Sequence, residues 1–170
     1  MVHITSANQF REIIETGQIS IIQKRQKVSG YNYFLSPNIG FQLYGAKVLS
    51  SDPNYLVLGF DIAGHASLFS LLKYVDDKIK DYLKTSYIIE STVFHNLYKH
   101  LDTERTFSIR CYLPHLGNRY FTECTSDGKR VGFNIPRKFA TIDSAYVEIR
   151  NVWESNNRLG YNIELKSVII

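Results

Sequence analysis

The sequence predicts a β-rich α+β fold, a curled or closed antiparallel sheet with one main helix and one or two short ones. Three observations predict it. Roughly eight short runs alternate apolar and polar residues between turn sequences. One longer segment, about 67–84, places its apolar residues at helical spacing. No repeat, low-complexity tract or Pro/Ser-rich linker divides the 170 residues, so residues 1–170 are expected to form one domain with its own core.

Taken in order, Ser6 is a fair N-cap for a short helix through Phe10, Ile13 and Ile14, which Gly17 would stop. Ile19–Gln23 then reads as a strand. Runs at Tyr31–Leu35, Phe41–Leu49 and Tyr55–Ile62 are separated by the turn sequences Ser36-Pro37-Asn38 and Asp52-Pro53-Asn54. In the third run Leu56, Leu58, Phe60 and Ile62 share one face, which should be the core face. Ser67 is expected to open the main helix. Its stripe is Leu68, Leu71, Leu72, Val75, Ile79 and Leu83, with Asp76, Asp77, Lys78, Lys80 and Lys84 mostly opposite. A weaker helix is expected from Ser91 through Leu101. Strand pattern returns with Phe107, Ile109, Cys111 and Leu113 inward, then Val131, Phe133 and Ile135 inward after the turn Ser126-Asp127-Gly128. Next come Ala145, Val147, Ile149 and, in the same phase, Trp153, which is therefore expected to be buried. An Asn-rich loop leads to Tyr161, Ile163 and Leu165.

Apolar residues at 44% and charged residues at 21% give no reason to expect a disordered tail. Cys111 and Cys124 stand thirteen apart, in no CxxC or Cys/His pattern, and read as two reduced thiols. The start lacks a basic region followed by an apolar run, and no apolar run approaches the ~18 residues of a membrane span. The expectation is an intracellular protein, cytoplasmic or nuclear, neither secreted nor membrane-bound.

Charge is unevenly spread. Residues 105–138 hold seven Lys or Arg against two acids, whereas residues 1–104 balance ten against ten. Phe107, Tyr112, Tyr120, Phe121 and Phe133 are threaded through the basic segment. With Ile109 and Cys111 inward, Arg110 and Tyr112 point outward together; Arg130 does the same on the later strand. Cations and rings side by side suit a flexible polyanion with exposed bases. A second such cluster is Lys24, Arg25 and Lys27, followed by Tyr31 and Tyr33.

Catalytic patterns are missing. There is no GxSxG, GxxxxGK[ST], GxGxxG or HExxH string. His95 and His100 are five apart and fall on different faces of a helix, and His3, His65 and His115 stand alone. Asp76-Asp77 reads as part of a solvated helix face, and Asp102 and Glu104 near His100 as a local polar cluster. No cofactor is called for.

Three C-terminal runs carry a resemblance: Phe133-Asn134-Ile135-Pro136-Arg137-Lys138-Phe139, Ala145 to Trp153, and Gly160 to Val168. This part of the chain resembles the closing strands of OB-fold single-stranded-DNA-binding proteins of large DNA viruses and phages. The resemblance implies an OB-like barrel, binding of single-stranded DNA without sequence preference, and a role in replication or recombination. It carries Arg137, Lys138 and Phe139 toward the rim of a binding groove. This chain departs from many such proteins in ending apolar (Ser167-Val168-Ile169-Ile170) rather than acidic, and in the long helix.

The expected function is therefore non-catalytic binding of single-stranded nucleic acid, most readily DNA. Phosphates are assigned to Lys24, Arg25, Lys27, Arg110, Arg119, Lys129, Arg130, Arg137 and Lys138. Bases are assigned to some of Tyr31, Tyr33, Tyr112, Tyr120 and Phe121. The first alternative is a protein-interaction or assembly subunit, since Tyr and Arg also dominate protein interfaces. The second is a small metal-dependent nuclease. The Ile-rich last strand, read as an open edge, suggests a homo-oligomer.

Overall fold

The computed structural model describes residues 1–101 and 105–170; Asp102 and Glu104 lie outside them. The elements in chain order are β1 (Val2–His3), α1 (Ala7–Glu15), β2 (Ser20–Arg25), β3 (Tyr31–Ser36), β4 (Ile39–Ser51), β5 (Tyr55–Asp61), α2 (Ala66–Ser86), β6 (Val93–Phe94), β7 (Lys99–His100) and β8 (Thr106–Tyr112). They continue with β9 (His115–Leu116), β10 (Arg119–Tyr120), β11 (Glu123–Ser126), β12 (Lys129–Val131), β13 (Thr141–Ser155) and β14 (Arg158–Ile169).

Five of these strands close a barrel. β4 pairs antiparallel with β5, β5 with β8, β14 with β13 and β13 with β4, while β8 and β14 run parallel. The ring order β4-β5-β8-β14-β13 returns to β4, so the central sheet has no open edge within the ring. This is an OB-like α+β fold, a five-stranded Greek-key barrel with the main helix inserted between its second and third strands. The β2–β3 hairpin extends the sheet beyond β13 on one side. On the other, β11 and β12 extend it beyond β14.

Strand alternation fills the barrel. Phe41, Leu43 and Val48 from β4, Leu56, Leu58 and Phe60 from β5, and Phe107, Ile109 and Cys111 from β8 are all buried. Helix α2 adds Leu72, Val75, Ile79 and Leu83, and α1 adds Phe10 and Ile13. Ser6 caps α1 as expected, its Oγ accepting from the Gln9 amide at 3.2 Å. The Asp52 turn also forms, its carboxylate accepting from the amides of Asn54 and Tyr55 at 2.7 and 2.9 Å. No helix among the described residues is long and apolar enough to cross a membrane.

Five expectations are corrected. Residues 91–101 are not a helix: β6 and β7 pair with β14 and β8, Leu97 is buried in the core, and Phe94 and Tyr98 pack against it. Helix α2 is capped two residues early, at His65 without a side-chain bond rather than at Ser67. Asp76 and Lys80 are buried, not solvated. They pair at 2.9 Å, and Lys80 also donates to Asn96 Oδ1 at 2.6 Å. The strand expected at 131–135 stops at Val131, itself exposed, while Phe133 and Ile135 pack on the core from a loop. Finally, the C-terminal strand is not an edge. Ser167–Ile169 are flanked by β13 and β11, and the Ile170 amide donates to the Thr125 carbonyl at 2.9 Å. The paired strand removes the observation on which self-association rested.

Candidate nucleic-acid interface

The inward alternation of β5 and β8 leaves Tyr55, Val57, Arg110 and Tyr112 on the outer barrel wall. Tyr55 and Tyr112 face each other across the strand pair and meet edge to face at 5.8 Å. The Arg110 guanidinium lies flat over the Tyr55 ring, 3.7 Å from its centroid. Stacked this way, the cation is held in place while its edge donors stay free for an acceptor.

Trp153 joins this wall because β13 is irregular. Its register against β14 shifts between Ile149 and Asn151, so Val152, not Trp153, takes the inward phase after Ile149. The expected burial of Trp153 is thereby overturned: the indole lies half-exposed on the outer face. It rests on Gly160, directly opposite in β14, where a Cβ would come within 2.5 Å of Trp153 Cζ2. Only glycine leaves room for the ring to lie flat there. His95 covers another side of the indole, with ring centroids 6.1 Å apart.

Between these groups runs a groove of about 720 Å³. Its floor is Val57, Ser108 and Arg110, with Leu49 and Ser50 of β4 at one side and Trp153 and Arg158 at the other. Residues 95–99 form a raised wall. That wall is tied down from beneath by the buried Asp76–Lys80 pair, which holds Asn96 through Lys80 and accepts from the Leu97 amide through Asp76 at 3.3 Å. Tyr161 anchors the same place, donating to the Asp76 carbonyl at 3.4 Å; burial, with Asp76 close by, holds its phenol well above the ordinary range.

Three cations (Lys99, Arg110, Arg158) line this groove, and among the described residues no carboxylate does. The other two cavities differ. One of about 250 Å³ beside Tyr55 and Tyr112 contains Glu164, which holds Arg150 at 3.4 Å and Lys166 at 2.5 Å. One of about 820 Å³ behind the β2–β3 hairpin contains Glu90 and Glu154. Arg150 of the smaller cavity is paired with Glu164, whereas among the described residues no ion pair holds Lys99, Arg110 or Arg158.

The structure separates the residues expected to act together. Arg110 and Tyr112 share the outer wall. The N-terminal cluster is split by strand parity. Lys24 pairs with Asn32, and Asn32 with Trp153, so Lys24 lies on the Trp153 side; its ammonium sits 5.4 Å from the Phe34 ring centroid. Arg25 and Tyr31 pair with each other and then with Glu154, and so face the opposite cavity. Lys27 is exposed in the loop between β2 and β3.

Tyr33 is corrected outright. It is fully buried, donates to Glu154 Oε1 at 3.0 Å and accepts from Gln23, and burial beside that carboxylate pushes its phenol up to about 12. A ring with no exposed face cannot stack on a base. Glu154 in turn is held by the Ser91 hydroxyl at 2.8 Å, so this site is an internal tie.

The rest of the basic segment lies away from the groove. Tyr120 is pinned at the end of the barrel, donating to the Pro53 carbonyl at 3.0 Å and packing edge-on against Phe133. Arg119 and Phe121 are exposed beside it. Lys129 and Arg130 sit on the outermost strand, with Arg130 paired to Glu123 at 3.0 Å. None of these five lines any of the three cavities. Arg137 and Lys138 are exposed in the loop leading to β13. That loop is bonded to β4 near the groove, through Ser51 Oγ to the Pro136 carbonyl and the Phe139 amide to the Val48 carbonyl.

Sequence reasoning missed Tyr55, Trp153, Lys99 and Arg158. Tyr55 was available from alternation, since Leu56 and Leu58 inward put it outward. Among the described residues no cluster of three or more His, Cys, Asp or Glu side chains is placed to hold a metal ion. Cys111 is fully buried and its thiol is pushed up to about 12 by that burial, which makes it a packing residue.

No family model matches this chain, and no curated protein matches it significantly. Among solved structures, it is similar to the single-stranded DNA-binding protein from bacteriophage Enc34 in complex with ssDNA. The TM-score is 0.46 at 10% identity, over 88% of this chain and 94% of that one. A likeness at that level carries no argument about what this chain binds.

Proposed function

We propose that this protein binds single-stranded nucleic acid, most readily DNA, non-catalytically and without sequence preference, through the groove between Leu49 and Trp153. The observation that carries the reading is a groove with three cations, a half-buried indole and, among the described residues, no carboxylate. Phosphates meet Lys99, Arg110 and Arg158, with Lys24 beyond the indole; bases stack on Trp153 and, beside the groove, on the Tyr55–Tyr112 pair. Each ring contact of this kind is worth about 1–3 kcal/mol, and any base has a π-face to offer. A duplex keeps its bases stacked internally and cannot use the rings. A role in replication or recombination is consistent with such binding.

The test is an anisotropy titration of a labelled dT strand, well beyond the ~16 nucleotides one such fold covers, against a duplex of equal length. Tight single-strand binding with a log–log salt slope of about −0.7 per phosphate contacted is expected. No binding to either form at low salt would sink the reading and favour a protein partner.

A further inference from the structure

Phe139 is 61% exposed while its backbone is fixed: the Phe139 amide donates to the Val48 carbonyl at 2.7 Å, and the Ala140 amide to the Arg137 carbonyl at 3.0 Å. Its φ is +68°, a region that a large L side chain enters only against a steric cost. Two ammonium groups lie close to the ring, Lys138 at 5.0 Å and Lys47 at 5.4 Å from its centroid. A bulky ring in a strained, hydrogen-bonded turn, held out into solvent beside two cations, is arranged for a partner rather than for the core.

Register places this ring at the end of the groove. Ala46 and Val48 point inward, so Lys47 points outward, and it pairs with Gly59, Gly59 with Ser108, and Ser108 with Lys99. The row Lys47-Gly59-Ser108-Lys99 crosses the outer wall from the Phe139 turn to the raised wall of the groove. The Leu49 side chain packs over Gly59, where an added Cβ would lie 2.7 Å from it, so an apolar group covers this part of the row between Lys47 and Lys99. The Phe139 amide is bonded to Val48, next to Leu49 and Ser50, which line the groove across from Trp153.

We infer that Phe139, Lys47 and Lys138 form a second, outlying subsite that stacks one unpaired base and contacts its flanking phosphates, so that a bound strand is held at both ends of the groove. The inference rests on the groove being the binding site. It adds a length requirement: a strand too short to span from Trp153 to Phe139 uses only one platform.

The experiment is anisotropy with dT strands of about 4 and about 16 nucleotides, the limits of one such fold's site size, on the wild type, Phe139→Ala, Phe139→Tyr and Phe139→Gly. Phe139→Ala and Phe139→Gly are expected to weaken the long strand by about 5- to 100-fold and to leave the short one within about twofold. Phe139→Tyr should restore the long-strand affinity. Phe139→Gly, which relieves the positive φ, should melt no lower than the wild type, which separates lost contact from lost fold. Equal weakening of both lengths would overturn a separate subsite, as would no change with the long strand, and the proposed function would survive either. Failure of the wild type to bind any single strand would remove both.

Discussion

Two regions of this molecule read alike in sequence and differ in space. The first is the outer wall of β5 and β8, where Arg110 stacks on Tyr55 beside Tyr112. The second is 119–130, with Arg119, Tyr120, Phe121, Lys129 and Arg130. Both mix cations with rings. The wall belongs to a closed barrel and is bounded by a raised loop; Arg110 enters the groove from it, while Tyr55 and Tyr112 line the smaller cavity beside it. The 119–130 region belongs to two hairpins, β9–β10, a separate two-stranded sheet, and β11–β12 at the main sheet's margin; its rings pack against neighbours or stand apart, and Arg130 makes an exposed pair with Glu123. Composition reports that a polyanion would be attracted; only curvature and strand parity decide where it would be held.

The largest expected effect strikes the support of the groove. Asp76→Ala leaves Lys80 buried without its partner, and a loss of about 3–5 kcal/mol in chemical denaturation is expected. The 95–99 wall should lose order with it, read as faster amide exchange there than in the 119–130 hairpins. Uniform exchange changes in both regions would break the distinction.

Next comes the direct contrast of cations and rings. Trp153→Ala and Arg110→Ala should each weaken single-strand binding by about 1–3 kcal/mol, and Arg110→Ala should flatten the salt slope by about 0.7. Arg130→Ala and Lys129→Ala should change affinity by less than about twofold, since neither residue lines the groove. If the two sets lose affinity equally, the groove is not the site. Gly160→Ala sharpens the same contrast from below: its Cβ displaces the indole, at about 1–3 kcal/mol of stability, and binding should fall with no charge altered.

The smallest effect concerns Tyr33 against the exposed tyrosines. Its folded pKa of about 12 lies above the unfolded value near 10, so the neutral phenol favours the folded state. That contribution is intact below pH ~10 and is lost as pH rises through about 12. Denaturant midpoints should be flat up to pH ~10 and fall beyond it, less steeply in Tyr33→Phe. A slope unchanged by Tyr33→Phe would mean that other buried phenols, such as Tyr161, carry it.

Much of the fold was legible because two-residue alternation is strong in this chain. The β5 and β8 faces, α1 and the core of α2 follow from apolar spacing alone. Reasoning failed where a backbone event broke the period. The bulge before Asn151 inverted the face of Trp153, and the last strand acquired a partner, β11, that nothing in its own residues announces. Asp76 and Lys80 were misplaced for another reason: a charged pair four apart looks alike on either helix face, and only the loop they hold shows that they are buried.

Trp153 is the only tryptophan in the chain. Light absorbed near the red edge of the protein's band and re-emitted therefore comes from one address, the lip of the groove. A base laid on that indole would quench it, so the unlabelled protein carries its own occupancy gauge, and the same signal would follow how fast a strand arrives and leaves.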